Sequence, residues 1–90
     1  RHGLGVKQDF VKAVMWYRKA AELGYPPAQN NLGYQYYVGK GVPKDSKQAA
    51  EWYQKAATAG FPSAQYNLGI MYEDGDGVPQ NYALAAKWYL

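Results

Sequence analysis

Residues 52–65 read WYQKAATAGFPSAQ and residues 16–29 read WYRKAAELGYPPAQ, so one pattern returns after 36 residues. A third Trp-Tyr pair stands at 88–89, again 36 residues further on. Residues 5–40 and 41–76 are identical at 18 of 36 aligned positions. A fixed period between about 20 and 50 residues indicates a solenoid of stacked repeats. Such stacks build long shaped surfaces more readily than deep catalytic pockets.

Each repeat carries the start and stop signals of a first helix. In the central repeat, Asp45 can accept a hydrogen bond from the first helical turn, and Gln48 is its capping-box partner. The signals predict a helix over residues 46–59 that stops at Gly60, because glycine adopts the left-handed conformation without strain. The equivalent cap positions in the other repeats are Asp9 and Asn81.

A second helix follows in each repeat. Pro26 and Pro62 open it, at a position where the missing N–H is harmless. We predict that this helix runs to about residue 37 in one repeat and 73 in the next, before glycine- and proline-containing turns. No segment has a strand pattern. The sequence therefore predicts an all-α solenoid of antiparallel helix pairs, a single array divided into a partial repeat 1–24, a repeat 25–60 and a repeat 61–90.

The helical period predicts which residues are buried. In the first helix, the predicted apolar half comprises Ala49, Ala50, Trp52, Tyr53, Ala56, Ala57 and Ala59. We predict that Trp16, Trp52, Trp88 and their tyrosine neighbours belong to the core and not to a ladder that stacks on a ligand. In the second helix, the predicted buried stripe comprises Ala64, Leu68, Met71 and Tyr72. Gly33 and Gly69 lie inside this helix, where we predict that a neighbouring helix passes too close for a side chain.

The repeated pattern resembles a known family. The residues that carry the resemblance include Ala28-Gln29, Leu32-Gly33, Gly39-x-Gly41, Trp52-Tyr53 and Gly60, which match the spacing of the Sel1-like repeat, a relative of the tetratricopeptide repeat. The resemblance implies a right-handed superhelix whose first helices line the concave surface and whose members are protein-binding adaptors. The cysteine-rich bacterial branch of this family carries a disulfide in each repeat, whereas this chain has no cysteine.

The polar half of each first helix is the predicted contact surface for a partner. Its lysines and arginine suggest a ligand with acidic character. Val11 and Met15 break the polar pattern, so they are either apolar anchors for the partner or a packing surface for a preceding repeat. Sequence drift on a solvated face would produce the same variation between repeats. The predicted contact residues are Val11, Met15, Arg18, Lys19, Lys47, Glu51, Gln54 and Lys55.

The outer arc of the second helices offers further exposed side chains. They form either a second contact or an ordinary surface, and single exposed apolar residues favour the ordinary surface. These residues are Asn30, Tyr34, Tyr37, Tyr66, Ile70 and Glu73.

The composition argues against other functions. The acidic turn at residues 73–77 lacks the distal carboxylate of a calcium-binding loop, and Gly39-x-Gly41 follows a helix, unlike a phosphate loop. His2, the only histidine, lies in the terminal turn, so we expect no catalytic pair, no metal and no cofactor. The net charge of +3 comes from scattered cations, which argues against nucleic-acid binding. No apolar run reaches the length of about 20 residues that crosses a bilayer.

We therefore expect a non-enzymatic scaffold that binds a protein or peptide on its concave face. A structural spacer within a longer array, or a binder of a cell-wall peptide or glycan, remains an alternative. The chain begins at Arg1 and ends within a repeat, so we expect it to be part of a longer array. The uncovered helix that ends with Trp88, Tyr89 and Leu90 predicts self-association. The compartment is open; for a bacterial chain, the periplasm or secretion is favoured over the cytoplasm.

Overall fold

Five helices in a row make up the structure, a computed structural model that describes the backbone of residues 2–89 and the side chains of residues 10–89. None of residues 2–89 lies in a strand. The helices form an elongated body of 47 × 25 × 16 Å. The predicted all-α fold is confirmed, and the second, third and fourth helices end within one residue of the predicted positions. The five are α1 (His2–Glu22), α2 (Pro26–Val38), α3 (Ser46–Thr58), α4 (Pro62–Asp74) and α5 (Tyr82–Tyr89).

The N-caps of α3 and α5 form as the sequence predicts, but the predicted capping box at α3 does not close. The Asp45 side chain accepts a hydrogen bond from the Gln48 backbone N–H at 3.1 Å. The Asp45 backbone N–H donates to the Tyr36 carbonyl at 2.8 Å, so it is already satisfied and the Gln48 side chain is not needed to close the capping box. At α5, Asn81 Oδ1 accepts from the Leu84 N–H at 3.0 Å.

The start of α1 differs from the prediction. Asp9 lies inside this helix, which begins at His2, and is therefore not an N-cap. The reason is the residue two positions earlier: Lys7 stands where the other repeats have Pro43 and Pro79. Proline interrupts a helix because it lacks the N–H and clashes with the preceding turn, and lysine does neither. The side chains of His2 and Asp9, and all of Leu90, lie outside the described residues.

The turns between helices follow the glycine and proline signals. Gly24 and Gly60 have φ of +90° and +91°, and both follow a first helix. Pro26 and Pro62 then occupy the first turns of α2 and α4. Glycine has no Cβ to oppose this left-handed conformation, so the chain reverses within a few residues.

Each helix packs on the helix before it and the helix after it, and the contact between α2 and α3 is the most extensive. A Cβ built on Gly33 would lie 2.9 Å from Tyr53 Cδ1 and 3.2 Å from the Ala49 carbonyl oxygen. A Cβ on Gly69 would lie 2.9 Å from Tyr89 Cδ1. The predicted close approach at both glycines is therefore confirmed, and it occurs between a second helix and the first helix that follows it in the chain.

The core is a continuous layer between the helices. Its largest fully buried side chains are Tyr53, Leu32, Leu68 and Met71. The predicted alanines of α3 are buried except Ala59, which is the exposed C-cap of that helix. Tyr72, also predicted in the buried stripe, is half-buried.

A glutamine recurs as a link between a first helix and the second helix that follows it. Gln29 Nε2 donates to the Ala21 carbonyl at 3.2 Å, and Gln65 Nε2 donates to the Ala57 carbonyl at 3.2 Å. The two bonds are 36 residues apart. Each bond uses a carbonyl in the last turn of a first helix. Carbonyls at that position have no hydrogen-bond partner within the helix itself.

Candidate partner-binding surface

The predicted place of the Trp-Tyr pairs in the core is confirmed only in part, because Trp52 and Trp88 pack against the core whereas Trp16 and Tyr89 are exposed. Trp16 is 68% exposed, and Trp52 and Trp88 are half-buried. The tyrosine of the central pair is the buried member, since Tyr53 is only 2% exposed. Successive helical residues are about 100° apart, so Trp52 lies at the margin of an arc whose centre is Tyr53. Trp16 is the most exposed of the three because no helix precedes α1 in the described chain.

Every indole lies beneath a lysine ammonium. The Nζ atoms of Lys19, Lys55 and Lys87 lie 5.2, 5.5 and 5.4 Å from the centroids of the Trp16, Trp52 and Trp88 rings. Exposed cation–π contacts contribute about 0.5–1 kcal/mol each, enough to orient the lysine without neutralising it. Each repeat therefore presents a flat apolar ring and a positive charge side by side. The sequence signal was the lysine three residues after Trp16 and Trp52, one helical turn away.

Three predicted contact residues share a groove on α3. Lys47, Glu51 and Gln54 line an open depression of about 200 Å³. Leu68 of α4 and Val78 of the following turn also line it. The Gln54 amide donates to Thr58 Oγ1 at 3.1 Å, so this side chain is held along its own helix.

The predicted residues of α1 separate into two depressions. Met15, which is 56% exposed, and Lys19 line one of about 300 Å³ together with Trp16 and Lys12. Val11, which is 49% exposed, lines another of about 340 Å³ with Phe10, Lys40 and the turn after α2. Val11 and Met15, proposed as a pair, therefore do not share one depression.

Arg18 is engaged with the helix that follows its own. Its guanidinium donates a hydrogen bond to the Tyr36 hydroxyl and lies 5.6 Å from the centroid of that ring. Tyr36 is buried, so the arginine covers an edge of the core between α1 and α2. The equivalent residue of the next repeat is Gln54, which makes no such bridge. Arg18 thus has a structural contact besides any partner contact.

The charges separate between the two kinds of helix. We call the exposed residues of α1, α3 and α5 the first-helix surface. Within residues 10–89 these three helices carry two acids, Glu22 and Glu51, and six cations, a balance of +4. Over the same residues, α2 carries no charge and α4 carries only Glu73 and Asp74. The six cations are Lys12, Arg18, Lys19, Lys47, Lys55 and Lys87.

The described residues contain neither a cluster of metal ligands nor a membrane-spanning helix. Among the described residues, no three His, Cys, Asp or Glu side chains come together in a way that could hold a metal ion. None of the described helices combines the length and apolarity needed to cross a membrane.

A pocket between α2, α3 and α4 was not predicted. Its volume is about 90 Å³. The sequence pointed to Tyr34, Tyr37 and Ile70 as exposed residues of the second helices, but not to their convergence over a buried residue of another helix. The lining residues are Tyr34, Tyr37, Tyr53, Asn67, Ile70 and Met71.

Comparisons with known proteins agree with this geometry. The family model described as the Sel1 repeat matches residues 1–25, 26–61 and 62–90. No curated protein matches the sequence.

Similar solved structures include proteins from three bacteria. A protective antigen of uropathogenic Escherichia coli strains that displays an SLR fold is 53% identical over 81% of this chain, with a TM-score of 0.79. A Sel1 repeat protein from Oxalobacter formigenes is 51% identical over 84%, with a TM-score of 0.82. Helicobacter pylori cysteine rich protein B is 33% identical over 83%, with a TM-score of 0.81. The chain spans 16%, 57% and 56% of these three proteins, respectively.

Proposed function

The chain belongs to the Sel1 repeat family, and from that premise we propose that it is a scaffold that binds an acidic segment of a partner protein on its first-helix surface. Sel1 repeat proteins commonly mediate protein–protein interactions and are generally non-enzymatic scaffolds. We treat residues 1–24, 25–60 and 61–90 as successive units of one array. The partner and its acidic character are our inference from this chain.

The observation that carries the proposal is the charge balance of +4 on the described first helices, together with the lysine–indole pairs. A partner carboxylate would meet the ammonium of Lys19 or Lys55, while an adjacent apolar side chain would lie on the indole. Exposed charge pairs of this kind contribute up to about 1 kcal/mol each. Affinity would therefore come from several repeats acting together.

The groove on α3 would add selectivity. Lys47 and Gln54 offer donors to the partner, and Glu51 offers an acceptor between them. The apolar floor at Leu68 suits a small aliphatic side chain. On α1, Met15 and Val11 would provide separate apolar contacts. Arg18 would attract a partner carboxylate through the N–H groups of its guanidinium that are not bonded to Tyr36.

Charge reversal tests the proposal. The probe is a fluorescently labelled peptide of alternating Glu and Leu, with binding followed by fluorescence anisotropy at low and moderate salt. We expect Lys19→Glu combined with Lys55→Glu to weaken binding at least tenfold, because two attractive contacts become repulsive. We also expect wild-type binding to weaken as salt rises, since exposed charges are screened.

The control carries the same change in net charge on another surface. Lys44→Glu combined with Asn31→Glu and Ser63→Glu lowers the net charge by the same four units at exposed positions outside the first-helix surface, and it should change affinity much less. Equal losses in the charge-reversal variant and in this control would mean that the peptide responds only to total charge. Absence of binding by the wild-type chain would favour the spacer alternative.

A further inference from the structure

The pocket of about 90 Å³ between α2, α3 and α4 opens on the side of α3 opposite the first-helix surface. Glu51 and Lys55 each lie two residues from Tyr53, about 160° around the helix. The walls are the rings of Tyr34 and Tyr37 and the side chain of Ile70. A ligand here would therefore be independent of a partner on the first-helix surface.

At the base of the pocket lies the hydroxyl of Tyr53, which forms no hydrogen bond with any described residue. Tyr53 is 2% exposed, and its ring lies against Gly33 of α2. The unpaired side-chain atoms that are sealed from solvent are Gln29 Oε1 and Gln35 Oε1, and the Tyr53 hydroxyl is not one of them. It is therefore reached from the pocket that Tyr53 lines.

The equivalent tyrosine of the next repeat has a hydrogen-bond acceptor for its hydroxyl. Tyr89 is equivalent to Tyr53, and its ring lies against Gly69 in the same way. The Tyr89 hydroxyl donates to Glu73 Oε1 at 2.6 Å, and this bond raises the pKa of Tyr89 to about 12. At the position equivalent to Glu73, the earlier repeat has Tyr37. Where one repeat has the acceptor Glu73, the other has Tyr37, which forms a wall of the pocket.

The hydroxyl of Tyr53 is a hydrogen-bond donor at any physiological pH. Burial raises its pKa, and the nearby phenols of Tyr37 and Tyr34 raise it further. An occupant of the pocket excludes water from this hydroxyl, so a ligand that brings an acceptor oxygen avoids the cost of leaving the donor unpaired.

The size of the pocket restricts what can enter. A liquid water occupies about 30 Å³, and an apolar cavity of about 150 Å³ accommodates benzene. The volume of about 90 Å³ is smaller than that benzene-sized cavity, so we expect a branched aliphatic side chain to fit this pocket better than an aromatic ring. The lining by Ile70, Met71 and phenol rings favours an apolar occupant.

We propose that this pocket is a second binding site, which takes one aliphatic side chain of a partner protein while an adjacent peptide carbonyl accepts a hydrogen bond from Tyr53. The partner would contact the outer arc of the second helices. Lys44 lies 5.3 Å from the centroid of the Tyr37 ring and places a cation at the rim.

The test uses N-acetyl-leucine methylamide as the probe, titrated into the 90-residue chain and followed by NMR. We expect saturable shifts of the Tyr34, Tyr37 and Ile70 signals. The glycine analogue should give no saturable shifts because it lacks the side chain. The phenylalanine analogue should bind more weakly because its ring fits the pocket less well. Failure of the leucine compound to saturate, or tighter binding of the phenylalanine compound, would overturn the proposal.

Two variants isolate the hydroxyl and the cavity. Tyr53→Phe keeps the ring against Gly33, and we expect it to weaken leucine binding about fivefold without lowering the melting temperature. Ile70→Phe fills the cavity and should abolish binding. Tyr89→Phe is the matched control, since it removes the equivalent hydroxyl outside the pocket, and binding should persist. Undiminished binding in Tyr53→Phe or Ile70→Phe would contradict the site.

Discussion

Gly33 is a residue at which α2 closely approaches α3, because the Tyr53 ring of α3 occupies the space of a side chain. Glycine inside a helix costs about 1 kcal/mol relative to alanine. The recurrence of glycine at position 69, again beneath a tyrosine ring, indicates that the gain from ring packing exceeds this cost. The period of the sequence was enough to predict this close approach.

We predict that Gly33→Ala lowers the free energy of unfolding by about 1–3 kcal/mol, despite the higher helix propensity of alanine. The added methyl group would meet a buried ring and the Ala49 carbonyl oxygen. Gly69→Ala is the matched comparison and should cost less, because Tyr89 is 42% exposed and can turn toward solvent. Urea denaturation measures both. A more stable Gly33→Ala variant would disprove the argument.

The tryptophans show where residue patterns are insufficient. Helical periodicity placed Trp52 in the apolar half of α3, and the structure leaves it half-buried. A residue at the margin of an apolar arc is covered only if a neighbouring helix extends over it, and that depends on how the helices pack. The pocket beside Tyr53 escaped prediction for the same reason, since three helices contribute to it.

Among the helices, α2, α3 and α4 were predictable almost to the residue because each has both a start and a stop signal. Proline or a capping aspartate begins them, and a glycine lies at or just after their last residues. For α1, the equivalent aspartate suggested a start at residue 10. The proline that would enforce that start is replaced by Lys7, and the helix continues back to His2.

We predict that Asp45→Ala lowers the free energy of unfolding by about 0.5–2 kcal/mol, because it removes the acceptor for the Gln48 N–H. Asn81→Ala removes the equivalent bond at α5 and should cost less. Only α4 packs substantially on α5 in the described chain, so α5 can fray without the rest unfolding. Chemical denaturation of both variants provides the measurement, and a larger loss for Asn81→Ala would refute this account.

At the scale of the whole molecule, charge and hydrophobic exposure are unevenly distributed. The first helices are basic, and α5 has an uncovered face. Ala86 is exposed, whereas the equivalent Ala50 is buried beside α4. The difference arises because no helix follows α5 among the described residues. Composition alone predicted a mildly basic chain. That the positive charge is concentrated on alternate helices could be seen only from the fold.

We predict that the 90-residue chain self-associates as its concentration rises, through the uncovered face of α5. Sedimentation equilibrium should show an average mass above that of the monomer, and Ala86→Glu should reduce it. Ala83→Glu is the control, because the equivalent Lys47 is exposed within the array and this position needs no cover. A strictly monomeric wild-type chain at high concentration would exclude the prediction.

The order of packing, in which α1 contacts α2, α2 contacts α3 and so on to α5, has a mechanical consequence. Four interfaces are joined in series, so a load applied at the two ends passes through each of them in turn. Small rotations at the successive interfaces add up to a large change in the curvature of the array. The weakest interface sets the force at which the array first yields, and we expect the junction between α2 and α3, which has the most extensive contact, to yield last.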